Sequence, residues 1–382
     1  MKILLANKHF LGLSGGAERN ISDLANAFAA KGHEVTIFSE TKYGTAPAFP
    51  LDPHVTIAMP VDRPFVGDDP IGDAERDPEV RAWAKSNRSM RRKWGESIRY
   101  IWPDVIMTFM PHTSTPLLYE LGNEFPFIVT NQNDPAIDYF SEKHSSDPVD
   151  QALRIKLLQR ARAVHFLIPD FATKMPDYVQ RRSVVIPNAV QDTSGVNLRR
   201  IGKRIVALGR LVPHKGFKIL IESFVASQAY RDGWELHLFG EGPEKNDLLE
   251  TVRRLMAQTQ IFLRGHTSQP VQELARAEIF VIPSEYEGWG LTLTEAMSVG
   301  VPAIGFEDCT GVNWLIRNGE NGLLVRRGTS DMASAIDRLA MSPDLREMLS
   351  RAARESVKRF STATVYGMWE QLINRVHHGE GP

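Results

Sequence analysis

The chain has almost no cysteine, since its 382 residues contain only Cys309. An internal disulfide framework and a cysteine-rich zinc site are therefore excluded, and such scarcity is typical of a reducing compartment. Cys309 follows Glu307 and Asp308, whose charges disfavour a thiolate, so we expect a structural role for it. The composition predicts a cytoplasmic protein.

Long apolar runs are missing as well. The first run, Ile3 to Ala6, stops at Asn7 and is shorter than the core of a signal peptide, which takes about 7–15 residues. No other run approaches the ~18–20 apolar residues of a membrane span. The sequence predicts a chain that does not cross a bilayer.

An excess of charge of one sign is also absent. The 45 basic and 46 acidic side chains leave a formal net charge of −1. A protein without a positive excess has no global attraction to nucleic acid, so we expect no nucleic-acid partner.

The length of the chain predicts two domains, because a single core rarely grows beyond about 250–300 residues. Strand and helix patterns alternate in both halves. The predicted strands are 2–6, 35–38, 105–109, 127–130, 164–168, 184–186, 205–208, 235–239, 261–263 and 279–282. The predicted helices are 17–30, 81–100, 216–227, 244–257, 270–276, 331–340 and 344–378, the last with a break at Phe360. Residues 43–80 are predicted to form a loop with one short strand at 54–58. This alternation indicates an α/β protein with two doubly wound parallel sheets.

Ligands of such sheets bind beyond the carboxyl ends of the strands, so the loops there are the candidate sites. The first of these loops ends in Gly15 and Gly16, directly before a helix, where backbone amides and the helix dipole favour a phosphate. The glycine spacing fits neither the dinucleotide-binding fingerprint nor a P-loop, and an ordinary tight turn explains it equally well.

Two cations follow the first strand of the second half. Arg210 lies at the strand exit and Lys215 precedes a helix, where the dipole repels positive charge. A diphosphate held by both side chains would offset that repulsion through charge-assisted hydrogen bonds. The alternative is a pair of solvated cations on a loop.

Residues 283–297 combine glycines with two carboxylates. Glu287 is predicted on a loop and Glu295 in the first turn of the next helix, while Gly288 and Gly290 let backbone amides face a ligand. Carboxylates there would accept hydrogen bonds from sugar hydroxyls. The alternative for Glu295 is a capping box that begins at Thr292.

These residues together resemble the retaining family-4 (group 1) glycosyltransferases of GT-B fold. The features that carry the likeness are Gly15-Gly16, Gly209-Arg210, Lys215-Gly216, Phe239-Gly-Glu-Gly-Pro243, Glu287 with Glu295 eight residues on, Gly300-Val-Pro302 and Asn318-Gly-Glu-Asn-Gly322. The likeness is strong over 205–325 and weak over 40–125. It implies two Rossmann-like doubly wound domains that face an interdomain cleft. Residues 1–190 would form the acceptor-side domain, joined by a C-terminal helix at 361–380, and residues 191–360 would bind the nucleotide sugar.

The resemblance also implies roles for individual residues. Arg210 and Lys215 would hold the donor diphosphate, Glu295 the ribose and Glu287 the transferred sugar. Backbone amides would complete the donor site, and the implied positions are Gly15, Gly16, Gly288, Gly290 and Leu291 near the phosphates and Gly240, Gly242, Arg264 and Gly265 near the base. The donor would be a nucleoside diphosphate sugar used as co-substrate, and no cofactor is expected. No Asp-x-Asp triplet occurs in the sequence, so we expect no metal either.

One carry-over departs from the family pattern, and a second concerns the acceptor. A histidine often follows the strand that here is 105–109, and His112 stands a few residues further on, either shifted into that catalytic role or a plain loop histidine. Asn131, Asn133 and Asp134 resemble the acceptor-side loop of members that build bacterial polysaccharides. The expected acceptor is a sugar or a lipid-linked sugar.

Basic and aromatic residues crowd 81–102. They are Arg81, Trp83, Lys85, Arg88, Arg91, Arg92, Lys93, Trp94, Arg99, Tyr100 and Trp102. Such a helix would contact an anionic membrane surface or a lipid-diphosphate acceptor, which would put the protein at the inner face of the membrane. The alternative is a solvated helix with its aromatic rings turned to the core.

The predicted function is retaining transfer of a hexosyl unit from the nucleotide sugar to an acceptor hydroxyl in polysaccharide or glycolipid assembly. Two alternatives remain at this point. A pair of Rossmann-like halves also suits an NAD-dependent dehydrogenase, although the fingerprint is missing. A non-catalytic sugar-nucleotide-binding subunit would need the same donor residues.

Overall fold

The computed structural model describes residues 1–40, 42–60, 68–143 and 145–381. The chain divides into two compact units. The first unit consists of Met1–Pro187 with Val365–Pro382, and the second unit consists of Asn188–Thr364.

The first unit is built on a parallel sheet. Its described strands are β1 (Lys2–Ala6), β2 (Glu34–Phe38), β3 (Thr56–Ala58), β4 (Val105–Phe109), β5 (Phe127–Thr130), β6 (Ala163–Phe166) and β7 (Ser183–Val185). They lie in the order β3-β2-β1-β4-β5-β6-β7, which is doubly wound. Apolar residues fill β1 and β4, and Ile3 lies between Val35 and Val105. Strands buried on both faces read as continuous apolar runs, which is why the sequence predicted them.

Helices of the first unit connect these strands. They are α1 (Gly16–Ala30), α2 (Pro70–Asp73), α3 (Pro78–Ser86), α4 (Arg88–Ile101), α5 (Pro111–Leu121), α6 (Pro135–Asp138), α7 (Pro148–Lys156), α8 (Pro169–Thr173) and α9 (Asp177–Gln180), with a 3₁₀ turn at Leu157–Arg160. Gly32 follows the end of α1 with a positive φ of 82°, which confirms the predicted helix stop.

The second unit repeats the plan. Its described strands are β8 (Arg204–Leu208), β9 (Glu235–Phe239), β10 (Ile261–Gly265), β11 (Ile279–Ile282), β12 (Ala303–Phe306) and β13 (Gly322–Val325), in the order β10-β9-β8-β11-β12-β13. Its helices are α10 (Phe217–Ala226), α11 (Gln228–Arg231), α12 (Lys245–Arg254), α13 (Pro270–Ala275), α14 (Leu291–Ser298), α15 (Thr310–Asn313), α16 (Thr329–Met341) and α17 (Pro343–Val357). The 3₁₀ turns are Pro213–Lys215 and Lys358–Phe360.

The last helix, α18 (Thr362–His377), runs into the first unit. The ring of Trp369 lies 4.5 Å from that of His165 in β6, and Glu370 lies 3.0 Å from Nε2 of His33. Burial of His165 lowers its pKa to about 4, so this ring is neutral at physiological pH. Helix α18 thus packs against β6 and against the residue that precedes β2.

Several elements differ from the sequence predictions. The predicted helix 81–100 is two helices that meet at Asn87, and strands β12 and β13 were not predicted. Helix α5 was also not predicted, although Pro111 at its first position fits the start of a helix. The short strand expected at 54–58 is confirmed as β3, while Thr41 and 61–67 lie outside the described residues.

Three cations of the basic segment 81–102 pair with carboxylates of the first unit. Arg91 is 0% exposed and donates to Asp69 (2.6 Å) and to Glu120 (2.7 Å). Arg92 also binds Glu120 at 2.7 Å, and Arg99 binds Glu124 at 2.6 Å. A buried guanidinium needs such partners, because an unpaired buried charge costs several kcal/mol. Three of the seven cations expected to face a membrane therefore bind carboxylates within the unit, and Arg91 belongs to its core.

The aromatic residues of this segment divide into two groups. Trp83 and Trp94 are buried, as the alternative interpretation expects, but Tyr100 is 93% and Trp102 66% exposed. Within the described ranges, no helix has the length and apolarity that crossing a bilayer requires. Contact of residues 81–102 with a membrane surface stays a prediction.

Candidate functional site

The second unit brings its predicted donor residues together where β8 and β11 end. These strands are neighbours in the sheet, so the loops that follow them meet at one edge. Lys215 Nζ lies 2.6 Å from Glu287 Oε1, and the Ser284 hydroxyl donates to the same oxygen at 2.6 Å. The cation predicted for the diphosphate and the carboxylate predicted for the sugar are thus direct partners.

Backbone contacts hold the two loops against each other. The amide of Glu285 donates to the carbonyl of His214 at 2.8 Å, and the rings of His214 and Tyr286 stack at 4.5 Å. Gly216 is the N-cap of α10 with a φ of 68°, and a Cβ there would lie 2.1 Å from the carbonyl oxygen of Pro283. Only glycine satisfies both the left-handed backbone and this close approach.

Arg210 differs from Lys215 in its surroundings. Its side chain is exposed, and no carboxylate of the described residues pairs with it. The two cations predicted as one diphosphate clamp therefore differ, because Lys215 is paired and Arg210 is free to bind an anion.

Helix α14 begins differently from either prediction for it. Leu291 is its first residue and Gly290 its N-cap, so Glu295 is the fifth helical residue and lies beyond the first turn. The capping box from Thr292 to Glu295 is wrong, since Leu293 occupies the third helical position. Glu295 is 7% exposed. Its burial therefore needs another explanation than a helix cap.

The predicted base-binding residues lie on the loops after β9 and in β10. The amide of Gly240 donates to the carbonyl of Gly265 at 2.8 Å, and a Cβ on Gly240 would come within 1.8 Å of the Gly209 oxygen. A Cβ on Gly242 would lie 2.3 Å from the Leu211 oxygen. The loops after β8 and β9 and the end of β10 therefore pack backbone to backbone, which leaves backbone groups at this edge.

Arg264 is exposed, and its Nε donates to Nδ1 of His237 at 3.1 Å. Burial lowers the pKa of His237, and the charges of Arg204 and Arg264 lower it further, while Glu235 at 2.9 Å opposes them. A neutral imidazole is the form that accepts the arginine hydrogen bond. Arg264 is thus fixed beside the loops that are predicted to bind the base.

In the first unit, the predicted phosphate loop already holds a carboxylate. Glu18 Oε2 accepts the amide hydrogen of Gly15 at 2.9 Å, directly before Gly16 begins α1. A carboxylate at this position satisfies the positive end of the helix dipole. A phosphate at Gly15 would have to displace Glu18.

His112 lies in the first turn of α5 and has a neighbour that the sequence interpretation missed. The rings of His9 and His112 stack with centroids 5.5 Å apart, and the ring of Tyr43 meets His9 edge-on at 5.2 Å. Burial lowers the pKa of His9, followed by the charge of Lys8. His9 follows β1 by three residues, and this position at a strand exit was the signal that would have identified it.

The three predicted acceptor-side residues make contacts within the first unit. Asn131 donates to the carbonyl of His165 at 2.9 Å and accepts from the Tyr139 hydroxyl at 2.6 Å. Asn133 donates to Asp138 at 3.2 Å. Asp134 caps α6 and pairs with Lys174 at 2.5 Å. These contacts shape the loop after β5, whether or not an acceptor also binds there.

Two further expectations concern Cys309 and metals. Cys309 is buried, and desolvation raises its pKa to about 12, assisted by the charge of Glu287. A thiol held neutral in this way is consistent with a structural role. No cluster of potential metal ligands occurs in the part of the chain that the structure describes.

Family comparison assigns both units. Residues 15–189 match the Glycosyl transferase 4-like domain, and residues 196–356 match Glycosyl transferases group 1. The chain belongs to the group 1 glycosyltransferases. Because this is a family of glycosyltransferases, we set the dehydrogenase alternative aside.

Curated relatives of this group 1 glycosyltransferase match it over only part of their own length. Exopolysaccharide phosphotransferase SCO2592 of Streptomyces coelicolor is 27% identical across 95% of this chain but only 39% of its own length. Lipopolysaccharide core biosynthesis glycosyltransferase LpsE of Rhizobium meliloti is 30% identical across 44% of this chain and 49% of its own length. The chain therefore spans less than half the length of these relatives.

Solved structures confirm the predicted GT-B fold of this group 1 glycosyltransferase. Sucrose-phosphate synthase of Thermosynechococcus elongatus superposes with a TM-score of 0.79 and 19% identity, over 99% of this chain and 100% of the other. Anabaena Alr3699/HepE, solved in complex with UDP, gives a TM-score of 0.74 at 17% identity, over 98% and 100%.

Replacing Gly216 with alanine tests the contact between the loops after β8 and β11. We expect Gly216→Ala to lower the free energy of unfolding by roughly 1–2 kcal/mol, because alanine is strained in the left-handed region. The clash with Pro283 should lower it by at least about 1 kcal/mol more. The control is Gly233→Ala, which has a φ of 78° and, among described residues, no atom within 4 Å of its Cβ position. Denaturant unfolding measures both variants. Equal losses would contradict the close approach at Gly216.

Proposed function

We propose that this chain is a retaining glycosyltransferase that moves a hexosyl unit from a nucleoside diphosphate sugar to an acceptor hydroxyl. The observation that carries the proposal is the Lys215–Glu287 contact of 2.6 Å beside the unpaired Arg210, in a chain of this family. The relatives named for lipopolysaccharide core and amylovoran biosynthesis support an acceptor in bacterial polysaccharide or glycolipid assembly.

The cations would stabilise the leaving group. An ammonium group has three N–H donors, so Lys215 can keep Glu287 and still donate to a phosphate oxygen. Arg210 would supply the second, bidentate contact, and the amides near Gly16, Gly288, Gly290 and Leu291 would add further donors. Donors that are fixed before the reaction stabilise developing diphosphate charge without reorganisation.

The remaining contacts of the proposal follow the family resemblance. Glu287, held by Lys215 and Ser284, would accept hydrogen bonds from the transferred sugar, and Glu295 would bind the ribose. The base would rest on the backbone of Gly240, Gly242 and Gly265 with Arg264 beside it. His112, stacked on His9, would lie near the sugar, and the loop of Asn131, Asn133 and Asp134 would face the acceptor.

The reaction balances without a protein base. The bond between the anomeric carbon and the diphosphate oxygen breaks through an oxocarbenium-like state, and the acceptor oxygen attacks from the same face. The acceptor proton passes to the departing phosphate oxygen, so a pair of catalytic carboxylates as in glycosidases is unnecessary.

Product analysis tests the proposal directly. The isolated chain should turn over a nucleoside diphosphate sugar, and nuclear magnetic resonance of the first-formed glycoside should show the donor's anomeric configuration. Inversion would overturn the retaining mechanism. A product that carries the donor's phosphate would indicate sugar-phosphate transfer instead, and absence of any turnover would favour a non-catalytic sugar-nucleotide-binding subunit.

We expect turnover to be independent of divalent metal. Arg210 and Lys215 supply fixed positive charge where a metal ion would otherwise neutralise the diphosphate. The initial rate in EDTA should equal the rate with added magnesium or manganese. A rate that chelation abolishes and metal restores is the contrary result.

Replacement of Glu295 should affect binding of the nucleotide, and replacement of Glu287 should affect catalysis. Glu295→Ala should weaken binding of the bare nucleotide and raise the donor KM, because a contact equal in ground and transition states is lost. Glu287→Gln should bind the nucleotide normally and lose about 100- to 1,000-fold in kcat, the effect of removing one group that acts on developing charge. Calorimetric titration and steady-state kinetics measure the two effects.

Glu285→Gln is the matched control for this pair, because Glu285 is an exposed carboxylate of the same loop. It should change neither quantity. Unchanged nucleotide affinity in Glu295→Ala, with only a lowered melting temperature, would show that Glu295 serves the fold of α14 and not the ribose.

A further inference from the structure

A second cation-lined pocket lies in the first unit, at the sheet edge opposite the strand exits. Its volume is about 560 Å³, and Arg160, Arg162, Arg182 and His377 line it together with Phe125. Arg162 immediately precedes β6 and Arg182 immediately precedes β7, so both belong to the amino ends of neighbouring strands. We call this the amino-edge pocket.

The amino-edge pocket is separate from the proposed reaction site. His9, His112 and Asn131 follow β1, β4 and β5 at the carboxyl edge. Strand β5 has four residues, so the two edges are about 13 Å apart at ~3.3 Å per residue. A molecule in this pocket therefore occupies a different place from an acceptor at the loop after β5.

Positive charge in the amino-edge pocket is not balanced by the protein. Over the described ranges, neither Arg162 nor Arg182 has a side-chain hydrogen bond or a carboxylate partner. The carboxylate of Glu124 also lines the pocket, but Arg99 already binds it at 2.6 Å and lowers its pKa. Like charges on adjacent strands repel each other, and a bound anion removes that cost.

One of the arginines is fixed in place. Arg160 Nη1 donates to the carbonyls of Leu118 (3.2 Å) and Tyr119 (3.0 Å), near the end of α5. This leaves the other guanidinium nitrogens for a ligand. Guanidinium groups recognise phosphate oxygens in a bidentate manner, which a cluster of arginines multiplies.

An exposed aromatic ring adjoins the same pocket. The ring of Trp102, 66% exposed, meets the pocket residue Phe125 edge-on at 5.2 Å. An exposed aromatic ring beside cations fits a ligand whose phosphate carries an apolar portion, as well as a bare phosphate.

We propose that the amino-edge pocket binds a phosphate or diphosphate group through Arg160, Arg162 and Arg182. The group comes from a soluble phosphate ester or from a lipid headgroup, and both share this chemistry. The proposal does not depend on the glycosyl-transfer function.

Two binding measurements distinguish these sources. The soluble arm titrates inorganic diphosphate by calorimetry in an Arg210→Gln/Lys215→Gln background, which removes the proposed donor site. The lipid arm measures co-sedimentation of the otherwise unchanged chain with vesicles of phosphatidylcholine and phosphatidylglycerol. Arg162→Gln/Arg182→Gln should weaken binding about tenfold or more in at least one arm.

The matched control is Arg76→Gln/Arg181→Gln, which removes two exposed arginines of the same unit from outside this pocket. It should leave binding unchanged. Loss in the diphosphate arm identifies a soluble ligand, and loss in the vesicle arm alone identifies a lipid headgroup. Equal losses in both double variants, or binding in neither arm, would overturn the proposal.

Arg162→Lys/Arg182→Lys provides a second variant that keeps the charge and removes the bidentate geometry. If phosphate recognition is specific, it binds more weakly than the unchanged chain, and it remains informative if the glutamine variant unfolds. If this lysine variant binds as tightly as the unchanged chain, positive charge alone explains the binding, and the proposal is contradicted.

Discussion

The contact between Lys215 and Glu287 organises the candidate donor site. It exists because parallel strands direct all their carboxyl ends to one edge, and β8 and β11 are neighbours there. Residues 72 positions apart in sequence thereby become partners at 2.6 Å. The close approach of Gly216 to Pro283 keeps these loops at the separation that the ion pair requires.

Among the described residues, some arginines are paired in the core and others are left unpaired at an edge of a sheet. In the first unit, Arg91 is fully buried and forms ion pairs with Asp69 and Glu120, so its charge is neutralised in the core and is not available to a ligand. At the edge of the second unit, Lys215 is paired while Arg210 is not. The sequence alone does not distinguish Arg91 from Arg210. Burial and the geometry of the partners distinguish a cation that stabilises the core from one that can bind a ligand.

Much of the architecture could be predicted because strands buried on both faces are continuous apolar runs, as in Ile3 to Ala6 or Ile279 to Ile282. Strands β12 and β13 were not predicted, because each has only four residues and contains a glycine. Gly305 interrupts the apolar run of β12, and Gly322 begins β13. The same limit applies to the site. Glu287 was identified by its loop position, whereas its bond to Lys215, the stacking of His9 on His112 and the capture of the Gly15 amide by Glu18 depend on tertiary geometry or rotamers.

The return of α18 to the first unit has a consequence for synthesis of the protein on the ribosome. Trp369 and Glu370 meet His165 and His33 only after the whole second unit has been translated. The nascent amino-terminal half therefore emerges with its α18-binding face uncovered, while the second unit has all of its own strands before α18 appears. The unit that is made first is completed last, and its apolar face around His165 is the surface that a chaperone would meet during that interval.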